Sequence, residues 1–277
     1  MAEKVNYDNY LKISELLSLQ DSLSEPKAHD ELLFITIHQA YELWFKQILF
    51  EMDAAGVAIE NDDPYEATRI LQRVLKIESI LVPQIHILET MTPRDFMSFR
   101  KILNPASGFQ SVQFREVEFL SGMKSEAVLK SMDRYELDTT RLHRRYNEAS
   151  IRELFYEAMQ RAGYDICVPP DNANPLGEDL DRTLNSLKSL YEFPERHYKW
   201  YLLSEALVSH DQNLLLWRFH HVRVVERLIG SKMGTGGSAG VKYLESTLSK
   251  RAFPMLWFAR GMLTDDLYGT IRGHTVD

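Results

Sequence analysis

Cysteine is almost absent: the 277-residue chain has one, Cys167. A single thiol excludes a disulfide framework, a thiolate zinc site and a cysteine-ligated iron–sulfur cluster within one chain. Glycine and proline are scarce as well, at 13 and 10 residues, which argues against a turn-rich all-β architecture. Nowhere do ~18 apolar residues run together, as a membrane-spanning helix requires. Met1-Ala2-Glu3-Lys4-Val5 has none of the apolar core of a signal peptide, so the expected location is the cytoplasm, with no membrane partner. Basic residues are in the minority: the formal net charge is −8. No block of about five like charges occurs, so the electrostatic footprint of a nucleic-acid binder is missing.

What is present is an ordinary globular composition, 44% hydrophobic and 26% charged, laid out with a helical period nearly throughout. From Asp30 to about Ala58, the residues Phe34, His38, Tyr41, Phe45, Ile48 and Met52 recur at steps of four and three, one face of a helix. Asp63 and Pro64 read as the cap and first residue of the next helix, which Pro83 is expected to kink or break. Thr92-Pro93-Arg94-Asp95 marks another start, followed by Phe96, Phe99, Arg100 and Leu103 on one side. After the turn at 104–108, shorter helices are expected over 110–121, 124–131, 133–147 and 150–162. A loop fills 164–177. Pro194 is expected to open a further helix. Leu214, Trp217, His221, Val225 and Leu228 then repeat at helical steps, and a final helical region begins near 241. Strand patterns are negligible, and no internal repeat or linker divides the chain. The expectation is one all-α domain over 1–277, a helical bundle.

Several residues stand out against that background. His38 and His221 each sit within an apolar helical stripe. Each alone fits a core imidazole bonded to a carbonyl, and each also meets the description of an axial haem ligand. His220 and His221 point roughly 100° apart on a helix and cannot chelate one metal together. The apolar stripe favours His221. The glycine-rich stretch 234–240 has no preceding strand and no Gly-Lys-Ser/Thr, so it is not a phosphate loop. A connector is its plainer reading and a ligand-closing loop bearing Thr235 its second. Arg100 either snorkels to solvent or binds a small carboxylate through its fork. Ser107 reads as a turn residue, and Tyr7-Asp8-Asn9-Tyr10-Leu11 as the start of a core-packing helix.

Taken together, these segments resemble the tryptophan 2,3-dioxygenases, haem enzymes that open the indole ring of tryptophan. The resemblance is carried by Tyr7-Asp8-Asn9-Tyr10-Leu11 and by the run from His29-Asp30-Glu31-Leu32-Leu33-Phe34 through His38-Gln39-Ala40-Tyr41-Glu42-Leu43-Trp44-Phe45-Lys46. It continues with Met91-Thr92-Pro93-Arg94-Asp95-Phe96, Phe99-Arg100 and Pro105-Ala106-Ser107-Gly108-Phe109-Gln110-Ser111. Trp217-Arg218-Phe219-His220-His221 and Gly234-Thr235-Gly236-Gly237-Ser238 complete it, in order and over almost the whole chain.

The resemblance implies a b-type haem (heme b) pocket enclosed by the bundle, with His221 as the axial iron ligand and Ser107 near the haem on the distal side. His38 would meet the indole N–H, Phe34 and Phe96 would wall the indole, and Arg100 with Thr235 would hold the amino-acid end. Tyr7, Tyr10 and Leu11 would enter a neighbouring subunit's pocket from an N-terminal segment of about 1–20, which implies a homotetramer built as a dimer of dimers. The implied reaction takes L-tryptophan and O2 to N-formylkynurenine, the first step of the kynurenine route. Two rivals are a related monooxygenase acting on another indole and a non-catalytic haem or tryptophan sensor.

Overall fold

The computed structural model describes residues 4–168, 176–230, 232, 234 and 240–264. Two short helices, α1 (Tyr7–Leu11) and α2 (Ile13–Leu16), precede the long helices α3 (Glu31–Glu60) and α4 (Pro64–Leu88). Then come α5 (Pro93–Arg100), α6 (Val112–Ser121), α7 (Glu126–Met132), α8 (Thr140–Asn147), α9 (Ile151–Arg161) and α10 (Glu178–Glu192). The 32-residue α11 (Tyr198–Ile229), α12 (Val241–Ser246) and α13 (Pro254–Gly261) follow. No strand occurs among the described residues, so the fold is all-α and single-domain, as expected.

The framework is α3, α4 and α11, with α4 packed extensively against each of the other two. The stripe read from the sequence becomes the buried face of α3: Tyr41, Phe45, Ile48 and Met52 all point inward. Asp63 caps α4 by accepting from the Glu66 backbone N–H at 3.0 Å. Thr92 and Asp95 form the reciprocal capping box of α5. A smaller apolar cluster of Phe119, Leu129, Met132 and Leu142 seats α6 against α7 and α8.

Three expectations meet a different structure. Of the kink or break expected at Pro83, the break does not occur: α4 runs through it to Leu88. Proline removes one backbone hydrogen bond, yet Leu81, Ile85 and Leu88 around it are buried. Gln84 Nε2 donates to the Ile37 carbonyl of α3 at 3.2 Å, and tertiary packing carries the helix across. Nor does a helix open at Pro194. Residues 193–197 form turns, with Arg196 N–H on the Phe193 carbonyl and His197 N–H on the Pro194 carbonyl. The hydrogen bond between Tyr164 Oη and His197 Nδ1, 2.5 Å, ties that corner to the segment after α9, and α11 begins only at Tyr198. The expected helix over 133–147 is shorter too. Asp133 accepts from Thr139 Oγ1 at 2.9 Å and bonds His143 Nε2 at 2.8 Å, closing a turn before α8.

Buried polar groups join the framework helices. His210 of α11 bonds Glu78 of α4 through Nδ1 at 2.6 Å and Ser121 of α6 through Nε2 at 2.8 Å. Ser121 Oγ also lies 2.7 Å from the Val117 carbonyl of its own helix. A carboxylate beside Nδ1 favours the imidazolium form of His210. Burial opposes that charge, but the adjacent Glu78 outweighs it and raises the pKa above the ordinary histidine value. The next residue, Asp211, accepts from Ala252 N–H at 2.9 Å, Phe253 N–H at 3.3 Å and Trp257 Nε1 at 2.9 Å, docking the C-terminal segment.

A histidine whose pKa is raised on folding stabilises the fold fully below its unfolded value, near 6.5, and loses that contribution as pH rises through its folded value. Urea unfolding across pH 6 to 10 is therefore expected to show a fall in stability above neutrality that the variant His210→Phe lacks.

Candidate active site

The site is built where α3, α5, α6 and α11 meet. On α3, one turn of helix places His38 against Phe34, with ring centroids 4.1 Å apart. Its Nδ1–H donates to the Phe34 carbonyl at 2.7 Å, which fixes the tautomer. Burial lowers the His38 pKa, against the opposing pull of that carbonyl and of Glu42. The ring is then neutral at physiological pH, and its Nε2 carries a lone pair rather than a proton.

Phe96 and Phe99 of α5 complete an aromatic wall around it. Phe34 lies 5.8 Å from Phe96 and 5.6 Å from Phe99, and the latter two meet edge-on at 5.4 Å. Phe99 sits on the face expected from the sequence, but nothing there assigned it a role. Arg100 follows at the last turn of α5, half-buried, one helical turn from Phe96. Thr235 lies outside the described residues. Of its neighbours, Lys232 reaches Met97 Sδ of α5 at 3.7 Å. Gly240 closes on Lys232: its φ is +61°, and a Cβ there would stand 2.7 Å from the Lys232 carbonyl oxygen.

On α11, His221 stacks on Trp217 with centroids 5.2 Å apart and planes 15° apart. Trp217 in turn meets Tyr41 edge-on at 6.0 Å, Phe45 at 6.3 Å and Phe114 at 4.7 Å, so the α11 stripe locks onto that of α3. Among the described residues the His221 ring has no hydrogen-bond partner. Its pKa is pushed down to about 4 by burial first, then by the fields of His38 and Arg115. The effect of His38 on His221 puts the two imidazoles of α3 and α11 in one electrostatic neighbourhood, and burial disfavours the charge on each.

Beside them lies a cationic cluster that sequence reasoning missed. Arg115 and Arg218 are buried and share the carboxylate of Glu118, which Arg218 Nη2 reaches at 2.8 Å. Burial would raise the Glu118 pKa, but the two guanidinium groups hold it below the usual carboxylate range. Lys250 feels the same carboxylate, and burial lowers its own pKa. Three basic groups thus surround one acid. Arg115 Nε and Arg218 Nε and Nη1 have no partner among the described residues, and neither has Trp217 Nε1. Buried unpartnered N–H groups of this kind demand acceptors, and guanidinium groups demand anionic ones. In the sequence these residues sat in Arg115-Glu116-Val117-Glu118, which looks like a solvated helix face.

This donor set fits a haem. Among the described residues no group of three acidic, histidine or cysteine side chains is arranged to hold a bare metal ion. A flat macrocycle brings its own four nitrogen ligands and needs one free neutral imidazole, an aromatic slot and cations for its carboxylates. His221, its aromatic surroundings and the Arg115–Arg218 cluster have those properties.

Four further predicted residues lie on the margin of this centre or away from it. Ser107, half-buried, caps a 3-10 turn over Gly108–Gln110 by accepting from Phe109 N–H at 3.3 Å. Phe109 lies under Arg115 at 4.8 Å, so the Ser107 turn borders the cationic cluster. Helix α1 has no buried residue: Tyr7 and Tyr10 are 75% exposed and Leu11 is 43% exposed. The core-packing role expected of them from pattern alone is therefore wrong, and within one protomer they line no pocket.

Comparison with known proteins matches a family model described as tryptophan 2,3-dioxygenase over residues 1–163 and 185–263. A tryptophan 2,3-dioxygenase from Nocardioides sp. is 43% identical over 266 residues, covering 94% of this chain and 95% of the relative. Those from Herpetosiphon aurantiacus and Caulobacter vibrioides are 42% and 41% identical over 270 residues, each covering 95% of this chain and all of the relative. The family model leaves out 164–184 and 264–277, so its match takes in all of α3, α5, α6 and α11. Similarity of this depth, spread over every element that builds the site, means that the chain belongs to the tryptophan 2,3-dioxygenase family.

Proposed function

We propose that this protein opens the indole ring of L-tryptophan with O2, giving N-formylkynurenine, on a b-type haem held by His221. Family membership supports the oxidative cleavage of tryptophan. The observation that carries the site is the pair of neutral imidazoles, one bonded so that its Nε2 accepts and one with no partner. In the reaction the C2–C3 bond of the indole breaks and each carbon gains one oxygen atom of O2, with no net change in protons or electrons.

Haem, when bound, supplies the iron chemistry with O2 that no side chain provides. The chain's own groups bind, orient and exclude water. His221 would be the axial ligand, and its depressed basicity keeps the nitrogen lone pair free for a metal. Arg115 and Arg218 would face the carboxylates of the macrocycle. Phe34, Phe96 and Phe99 would clasp the indole in a dry slot, and His38 Nε2 would accept the indole N–H. That bond orients the ring without requiring the proton to leave. Arg100 would pair with the substrate carboxylate and Thr235 with the amino-acid end, while Ser107 would border the distal side.

The exposure of Tyr7, Tyr10 and Leu11 fits side chains completed by another copy, in a homotetramer formed as a dimer of dimers with exchange of the N-terminal segment. No helix among the described residues is long and apolar enough to cross a membrane, and a cytoplasmic setting belongs to the same reading. The rival monooxygenase and sensor readings draw no support from the relatives matched.

The test is a reaction of purified, reduced, haem-loaded protein with L-tryptophan and ¹⁸O2. Product carrying two labelled oxygens in N-formylkynurenine is expected. One labelled oxygen on an intact indole would overturn the assignment.

Two substitutions separate the roles. His221→Ala is expected to lose haem, or the five-coordinate ferrous spectrum, whereas His38→Ala keeps both and loses turnover. The reverse pattern would exchange the two assignments. Arg100→Ala is expected to raise KM for L-tryptophan by roughly 100-fold, the scale of a broken buried charge pair, with the Soret band unchanged. An unaltered KM would remove the clamp.

A further inference from the structure

Glu42 lies one helical turn beyond His38 on α3, half-buried, and both oxygens of its carboxylate are engaged. Ser111 Oγ donates to Oε1 at 2.6 Å, and Gln113 Nε2 donates to Oε2 at 2.8 Å. The same Gln113 nitrogen also reaches the Glu42 backbone carbonyl at 2.8 Å. Ser111 is the N-cap of α6, accepting from Phe114 N–H at 3.2 Å, so its hydroxyl is fully used between α6 and Glu42. Upstream, the Ser107 turn closes on itself through Gln110, whose Oε1 accepts from Ser107 N–H at 3.4 Å. The segment 107–111 is thus a short, internally bonded piece that the Glu42 carboxylate grips from α3 at Ser111.

We propose that Glu42 is a positioning residue for the reaction: by gripping Ser111 and Gln113 from the helix that carries His38, it sets the distance between His38 and the Ser107 turn on the substrate side of the pocket. The proposal rests on the active-site reading above. The Phe34 carbonyl fixes the His38 ring to its own helix, and the Ser107–Gln110 bonds fix the turn to itself. Phe45 packs on Phe114 across the same two helices, and among the described residues the Glu42 contacts are the side-chain hydrogen bonds that tie α3 to Ser111 and Gln113, seating the first turn of α6, which carries Arg115. The Glu42 charge faces His38 as well, partly offsetting the effect of burial on that ring. Misplacing a reacting group by about 1 Å commonly costs ~100-fold in rate, so a carboxylate that touches no substrate can still govern turnover.

The test uses the haem-loaded holoenzyme and three variants, Glu42→Ala, Glu42→Gln and Gln113→Ala. Turnover is measured together with the C–O stretching band of the ferrous carbon monoxide complex in the presence of L-tryptophan. Glu42→Ala is expected to lower kcat roughly tenfold or more, to change KM by less than about threefold, and to shift and broaden the C–O band. Glu42→Gln, which keeps an acceptor for Ser111, should recover most of both. A Glu42→Ala protein with a lowered Tm but parental kcat and parental C–O band would make Glu42 a mere strut and overturn the proposal. Should Glu42→Ala fail to fold, Gln113→Ala decides. It leaves the carboxylate and the cap in place, and a smaller change of the same kind supports positioning whereas parental values overturn it. Parent protein that takes up haem and turns over tryptophan, beside unaffected variants, removes this proposal alone. Parent protein that takes up no haem removes the active-site reading and this one with it.

Discussion

Keeping His221 uncharged is the demand around which the rest of the site is arranged. A buried imidazole loses its proton readily, but most buried imidazoles then give their free nitrogen to a hydrogen bond. Among the described residues His221 does not: the face of Trp217 covers it, and Trp217 is held by Tyr41, Phe45 and Phe114. The positive field of Arg115 works in the same direction. Apolar packing and like charge, each costly to a folded protein on its own terms, here combine to leave one nitrogen lone pair unspent.

Helix α11 carries the opposite case about three turns earlier. His210 is more deeply buried, yet Glu78 gives it a counter-charge and Ser121 bonds its other nitrogen, and its pKa moves up. Two histidines on one helix are thus pushed in opposite directions, decided by whether an acid or an aromatic ring faces them. The contrast also explains why the cationic cluster stands where it does. Glu118 satisfies only part of Arg115 and Arg218, leaving N–H groups directed at a space that wants an anion, while the fully matched His210 pair is left to hold helices together.

Much of this was legible in the sequence. The stripe survives as one face of α3, half-buried at Phe34 and His38 and buried at Tyr41 and Phe45, and the caps at Asp63 and Thr92 fall where the residue types put them. Those signals are local, and local spacing is what a sequence displays. Pairings across long separations are not displayed. Glu78 and His210 lie 132 residues apart, and Arg218 meets Glu118 across 100. The absence of a break at Pro83 was hidden for the same reason, since α3 packs against α4 there through Gln84 and Ile37. Tyr7 and Tyr10 show the limit from another side. Their aromatic character reads as core, whereas α1 packs nothing beneath it.

The chain of contacts from Glu78 through His210 to Ser121 has a consequence for how the molecule comes apart. These groups belong to α4, α11 and α6, and each depends on the others to be tolerable in the interior. Peel α4 away and a lone imidazolium is stranded; remove α11 and a bare carboxylate is left behind. A partly assembled bundle pays nearly the whole electrostatic penalty with little of the compensation. Cooperativity is thereby written into the interior: these three helices dock together or not at all, and the site that α11 presents exists only when the bundle is complete.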